Sequence, residues 1–151
     1  MRVALALVAD HANMTREGKL NILGVFHQVL APRFPCTHLL MHLVVQLESE
    51  LGDQPGEHAL RVLLVNSDGR HLVQVDARLE LHEPPTGFGP ARQSHLIPFA
   101  NLNFPTPGDY EFHVLLDGRP RATVPLKVMQ HPPPGTSPPP PAPPPPIAPA
   151  P

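Results

Sequence analysis

With 151 residues, a formal net charge of −2 and only 16% charged side chains, interspersed in sign, the chain lacks the basic stripe that nucleic acid or an anionic membrane surface requires. Its single cysteine, Cys36, excludes an internal disulfide and fits a reducing compartment. Many of its 24 prolines are gathered at the C-terminal end, which leaves about 130 residues for one domain with one core.

The apolar run Val3-Ala4-Leu5-Ala6-Leu7-Val8-Ala9 is short for a leader h-region, and Asp10-His11 interrupts it. It reads as a first buried strand of a cytoplasmic protein. No run approaches the ~20 apolar residues of a membrane-spanning helix. Asp10 to Gly18 reads as a polar connection, with a helical turn at Met14 to Glu17. Leu20 to Leu30 is apolar on both faces and reads as a central strand, in which Gly24 marks a bulge or a close approach by a neighbour. Pro32 and Pro35 make Ala31 to Thr37 a loop.

His38 to Glu48 alternates, placing Leu39, Met41, Leu43, Val45 and Leu47 inward. Glu57 to Asn66 is a strand with Leu60, Val62 and Leu64 on one face. Ser67-Asp68-Gly69-Arg70 then closes a hairpin, because Gly69 tolerates positive φ. The returning strand sets Val73, Val75, Ala77, Leu79 and Leu81 against Gln74, Asp76, Arg78 and Glu80. Glu83 to Gln93 holds three prolines and two glycines in eleven residues and reads as an irregular exposed loop. Ser94 to Phe104 is a strand that Pro98 assigns to an edge or a bulge.

The last hairpin is the clearest. Tyr110, Phe112, Val114 and Leu116 share a face, Asp117-Gly118 turns, and Ala122, Val124, Leu126 and Val128 return on the same side. Eight short strands without helical periodicity predict an all-β, antiparallel two-sheet β-sandwich of immunoglobulin-like or related type over residues 1–129. Gly108-x-Tyr110 opens a late strand in the manner of a tyrosine corner, whose hydroxyl bonds to nearby backbone. From residue 130 the composition changes. Thirteen of the last twenty-one residues are proline, and such a segment forms a disordered polyproline-II tail or spacer, not a core.

Chemistry-bearing patterns are few. His38 and His42 would share a metal on a helix, but on a strand they stand ~13 Å apart. A metal site would have to be assembled from outward His42, His82 and His113 on different strands. Cys36 and His38 would share a strand face, yet no nucleophile motif surrounds them. Glu48 and Glu50 read as solvated carboxylates beside a turn, and Gly87-x-Gly89 neither follows a strand nor opens a helix, so it is no phosphate loop. The sequence therefore predicts no catalytic residue, no metal ligand and no cofactor. Two features point to binding. Phe88 between glycines, with Arg92 nearby, pairs an aromatic ring with a guanidinium as interaction hot spots do. Asp10-His11 and Lys19-Leu20-Asn21 flank the first connection, where turn and cap hydrogen bonding also accounts for them.

Ala9-Asp10, Gly18-Lys19-Leu20-Asn21-Ile22-Leu23-Gly24-Val25-Phe26, Gly56-Glu57-His58, Asp68-Gly69 and Pro107-Gly108-Asp109-Tyr110-Glu111-Phe112 together resemble a family of small, uncharacterised bacterial proteins known only as a domain of unknown function. The resemblance spans residues 1–129. It implies a bacterial, non-secreted β-sandwich and carries no activity or ligand with it.

The functional expectation is a non-enzymatic protein-interaction or self-assembly module, with an unidentified protein or a second copy as partner, because strands apolar on both faces leave outer apolar surface. The alternative is a small-ligand or carbohydrate-binding sandwich using the loop 83–93.

Overall fold

The computed structural model describes residues 1–50, 52–82 and 89–131, and within them the chain forms nine strands and no helix. A four-stranded sheet of order β2-β1-β4-β7 contains β1 (Arg2–Met14), β2 (Leu20–Phe26), β4 (Cys36–Glu48) and β7 (Arg92–Phe104). A five-stranded sheet of order β3-β9-β8-β5-β6 contains β3 (Gln28–Ala31), β5 (Gly56–Asn66), β6 (His71–Leu81), β8 (Gly108–Leu116) and β9 (Arg119–Gln130). The period-two faces explain the pairing of the layers. Met41, Leu43, Val45 and Leu47 of β4 share one buried core with Leu60, Val62 and Leu64 of β5 and with Phe112, Val114 and Leu116 of β8. Two ring contacts join β7 and β8 across the sheets: Phe99 to Phe112, centroids 5.1 Å apart, and Phe104 to Tyr110 at 5.0 Å in an edge-on arrangement.

The turns follow from their residues. Asp117 and Gly118 both take positive φ, +50° and +75°, as a two-residue turn matched to strand twist demands. Gly69 has φ +76° and its N–H donates to the Asn66 carbonyl at 2.9 Å. The Tyr110 hydroxyl donates to the Thr106 carbonyl at 2.6 Å, the arrangement of a tyrosine corner, four residues upstream of the ring.

Several sequence expectations change. Leu20 to Leu30 is not one central strand. It breaks at His27 into β2, an edge of the four-stranded sheet, and β3, an edge of the other. The chain crosses between layers there, so each half buries a different set of side chains, and apolarity on both faces misreads as a buried centre. The sandwich is not wholly antiparallel either, because β3 pairs with β9 in parallel. Asp10 to Met14 belongs to β1, and a tight turn replaces the helical one: the Gly18 N–H donates to the Thr15 carbonyl at 3.0 Å. Leu39 is 76% exposed, not inward. Its place in the ladder lies between His38↔Leu102 and Leu40↔Ala100, opposite Asn101, whose φ of +52° breaks the alternation. Pro98 does sit on an edge strand, since β7 ends its sheet.

One polar cluster fixes the last hairpin to β5. Asp117 accepts from the Ala59 N–H at 2.9 Å and from His58 Nδ1 at 2.7 Å, while His58 Nε2 donates to the Gln54 carbonyl at 3.0 Å. Both imidazole nitrogens face acceptors, so only the imidazolium satisfies both. The hydrogen bond to Asp117 is the chief cause that raises the His58 pKa above its ordinary value of 6.5, and the same bond holds the Asp117 carboxyl below its own.

Replacing Tyr110 by Phe is expected to cost about 1 kcal/mol in urea unfolding, the worth of one hydroxyl-to-carbonyl bond, with an unchanged far-ultraviolet spectrum. A raised folded-state pKa makes the His58 contribution complete below 6.5 and removes it as pH rises through the folded value. The stability gap between the protein and His58→Ala should therefore be roughly 1 kcal/mol near pH 5.5 and shrink by about pH 8.5. An equal gap at both pH values rules out the imidazolium.

Candidate functional site

The strand order leaves β6 and β7 as neighbouring edges of opposite sheets, and the Gln93 amide bridges them by donating to the Glu80 carbonyl at 2.6 Å. A groove of about 650 Å³ opens along this seam, with Arg78, Leu79 and Glu80 on one bank and Arg92, Gln93, Ser94 and His95 on the other. Gln46 of β4 lies beside it and donates from its amide to the Ser94 hydroxyl at 3.1 Å, as their ladder pairing dictates.

Met14 and Gly18 also line the groove, and their presence there reveals how the first hairpin is placed. β1 pairs with β4 only as far as Ala9↔His42. Beyond it, His42 Nδ1 donates to the Asp10 carbonyl at 3.3 Å, and the His11 and His42 rings meet edge-on with centroids 5.2 Å apart. The end of the β1–β2 hairpin thus rises over the outer face of the four-stranded sheet and reaches Gln46 and Ser94. This cover accounts for Val44. It alternates with the core residues Leu43 and Val45, points to the outer face and is nevertheless fully buried, as is Ala12 of the hairpin nearly so. Gly24 of β2 has φ +68° and lies against β1, where a Cβ would meet the Asp10 carboxylate.

At one end of the groove Glu48 is buried between two guanidinium groups, accepting from Arg2 at 2.6 Å and from Arg92 Nε at 2.8 Å. These two bonds hold its carboxyl below the ordinary carboxylate range. Ser49 and Ala91 exchange hydrogen bonds at 2.8 and 2.9 Å and fix where β7 begins. The Met1 ammonium is held nearby by Asp53 and, at 2.9 Å, by Glu50. Burial of that ammonium opposes its charge, but the two carboxylates outweigh it and raise its pKa. His95 is different. Its side chain faces inward from β7, its Nε2 is buried with no hydrogen-bond partner among the described residues, and burial alone pushes its pKa down.

Of the sequence candidates, Arg92 lies on the groove with its charge engaged by Glu48, and Phe88 lies outside the described residues. Gly108 is the first residue of β8, and Tyr110 acts within the core. The histidines are not assembled. His42 belongs to one sheet and His113 to the other, where His113 pairs with Glu111 at 2.8 Å, and His82 stands 3.9 Å from Glu80. His38 packs its ring on Phe26, and Cys36 beside it packs against the core, where burial raises the thiol pKa. Among the described residues no group of three or more histidine, cysteine, aspartate or glutamate side chains converges on one point. Asn21 donates to Asn13 at 2.9 Å across the hairpin, and Asp10 packs under Gly24. Gln46, Ser94 and His95 carry no sequence signal, because they read as ordinary strand positions until the edges meet.

A separate feature is apolar. Leu23 and Val25 on β2 are 62% and 60% exposed, and Leu39 and Leu40 on β4 also face solvent. No helix among the described residues is long and apolar enough to cross a membrane.

Several solved structures align with the chain at low sequence identity. The chain aligns over 82% of its length with an alkylpurine DNA glycosylase, AlkC, of Pseudomonas fluorescens bound to DNA containing an abasic site analog, at 14% identity and TM-score 0.47. It spans 30% of that protein's chain. An immunoglobulin-like protein from Pseudomonas aeruginosa aligns at 17% identity and TM-score 0.40, covering 85% of this chain and 95% of that one. A glycosyl hydrolase family 2 member from Bacteroides cellulosilyticus aligns at 11% identity and TM-score 0.37, over 62% of this chain and 14% of the other. No curated protein matches the sequence. Residues 4–129 match the model of a family described as "Family of unknown function (DUF6941)".

Glu48 supplies a direct test of the ion cluster. Its depressed pKa makes its contribution complete above the ordinary value of 4.5 and removes it as pH falls through the folded value. Glu48→Gln should lower the urea midpoint at about pH 7, and the two midpoints should converge by about pH 3. A gap that persists in acid would assign the effect to packing.

Proposed function

The chain belongs to this family of unknown function, and we propose that it is a non-enzymatic self-association module that pairs with a second copy along the free edge of β2. The observation that carries this reading is the state of that edge. From Leu20 to Phe26 the strand has no charged residue and no proline, and Leu23 and Val25 stand mostly in solvent. Edge strands offer unpaired backbone groups to any passing strand, and proteins guard them with charge, proline or brevity. The other three edges are guarded in these ways: β6 carries Asp76, Arg78 and Glu80, β7 carries Pro98, and β3 is four residues long.

A second copy is the occupant that fits best. The strand is neutral and apolar, so it neither attracts nor orients a charged partner, while an identical strand presents the same chemistry in return. Antiparallel pairing about a two-fold axis through Gly24 makes the contact isologous and sets Leu23 of each copy against Val25 of the other.

Light scattering on the full-length protein is expected to give the mass of a dimer, and Leu23→Lys/Val25→Lys to give a monomer with an unchanged circular dichroism spectrum. Like charges facing each other across the axis should oppose pairing. A wild-type monomer throughout the micromolar range, or a dimer that survives both lysines, overturns the proposal.

A further inference from the structure

We propose a second function for the fold, independent of self-association: the groove along the β6–β7 seam binds a neutral saccharide. Its volume of about 650 Å³ falls within the range of small-molecule sites. Its two guanidinium groups are already paired, and Glu80 adds a carboxylate. Arg92 is bonded to Glu48, and Arg78 to Glu57 at 2.9 Å, so the groove presents donors and acceptors without the surplus positive charge that would select a phosphate or a carboxylate. What remains suits hydroxyl groups. Gln46 and Ser94 pair with each other and keep further hydrogen-bonding capacity, and Gln93, whose amide nitrogen serves Glu80, retains a carbonyl acceptor. The half-exposed Met14 adds apolar surface of the kind that a sugar ring's C–H faces cover.

The observation that points to a ligand is His95. It lines the groove, and its Nε2 is buried without a partner. A buried polar atom left unpaired is unfavourable, and in native structures each instance calls for a cause. A sugar hydroxyl entering the groove supplies the missing partner, and the neutral imidazole can either donate to it or accept from it.

Titrations of the full-length protein followed by ¹⁵N–¹H NMR, with D-glucose, D-galactose and N-acetyl-D-glucosamine as probes and inorganic phosphate as the contrasting one, test this. At least one sugar is expected to give saturable shifts confined to Gln46, Gln93, Ser94 and His95. In His95→Leu the thermal midpoint should stay level or rise, because the unpaired nitrogen is gone, while affinity falls about tenfold. Gln46→Ala, on the solvent side of the groove, should weaken the same sugar without loss of fold. The proposal is overturned if no sugar produces saturable shifts, if phosphate alone moves these residues, or if both variants bind as the wild type does.

Discussion

Two ring pairs, Phe99 on Phe112 and Phe104 on Tyr110, tie β7 of one sheet to β8 of the other, and the placement of the seam groove depends on them. Because β7 ends its own sheet, holding it against the second sheet brings it beside the other layer's β6 edge. Gln93 then closes the seam by bonding to the Glu80 backbone, and the groove is what remains open along it. The same ring pairs anchor the turn between β7 and β8, where the Tyr110 hydroxyl holds the Thr106 carbonyl. Aromatic side chains supply much of the buried area in such a core, and their geometry, unlike that of aliphatic chains, also fixes relative orientation.

The ionic contacts sit mainly at the periphery and are of two kinds. Pairs such as Arg61–Asp76 and Arg78–Glu57 are exposed on both sides, and solvent screening leaves them little to contribute. Glu48 and the His58–Asp117 pair differ because each is bonded twice or more to groups that define where an element starts or turns. They act as registers: Glu48 joins the starts of β1 and β7 to the end of β4, and Asp117 ties the β8–β9 turn to β5. Their opposite pKa directions place the pair's joint contribution between the acid range of the carboxylate and the range in which imidazole loses its proton.

The outer faces are treated unequally. The first hairpin lies over part of the four-stranded sheet, burying Val44 and Ala12, and in doing so exposes Leu23 and Val25 on its own strand β2. Covering one apolar surface has created another at an edge, and an unguarded edge is a place where strands pair. The seam groove is polar, and its guanidinium groups are already paired. The protein thus carries two unlike surfaces on opposite margins of one sheet.

The sequence by itself determined the strands that alternate without interruption, namely β5, β6, β8 and β9, together with their Asp-Gly turns, because period two and positive φ are local properties that neighbouring residues impose. It also gave Tyr110 its role through the Gly108-x-Tyr110 spacing, and it placed Arg92 among the binding candidates. Tertiary structure decided the rest. The break at His27, which sends β2 and β3 to different sheets, depends on which layer each half can join, and the exposure of Leu39 depends on the conformation of Asn101, 62 positions away in the chain. Gln46, Ser94 and His95 form a site only because two sheet edges and a hairpin end meet there, and no local pattern encodes an encounter between edges.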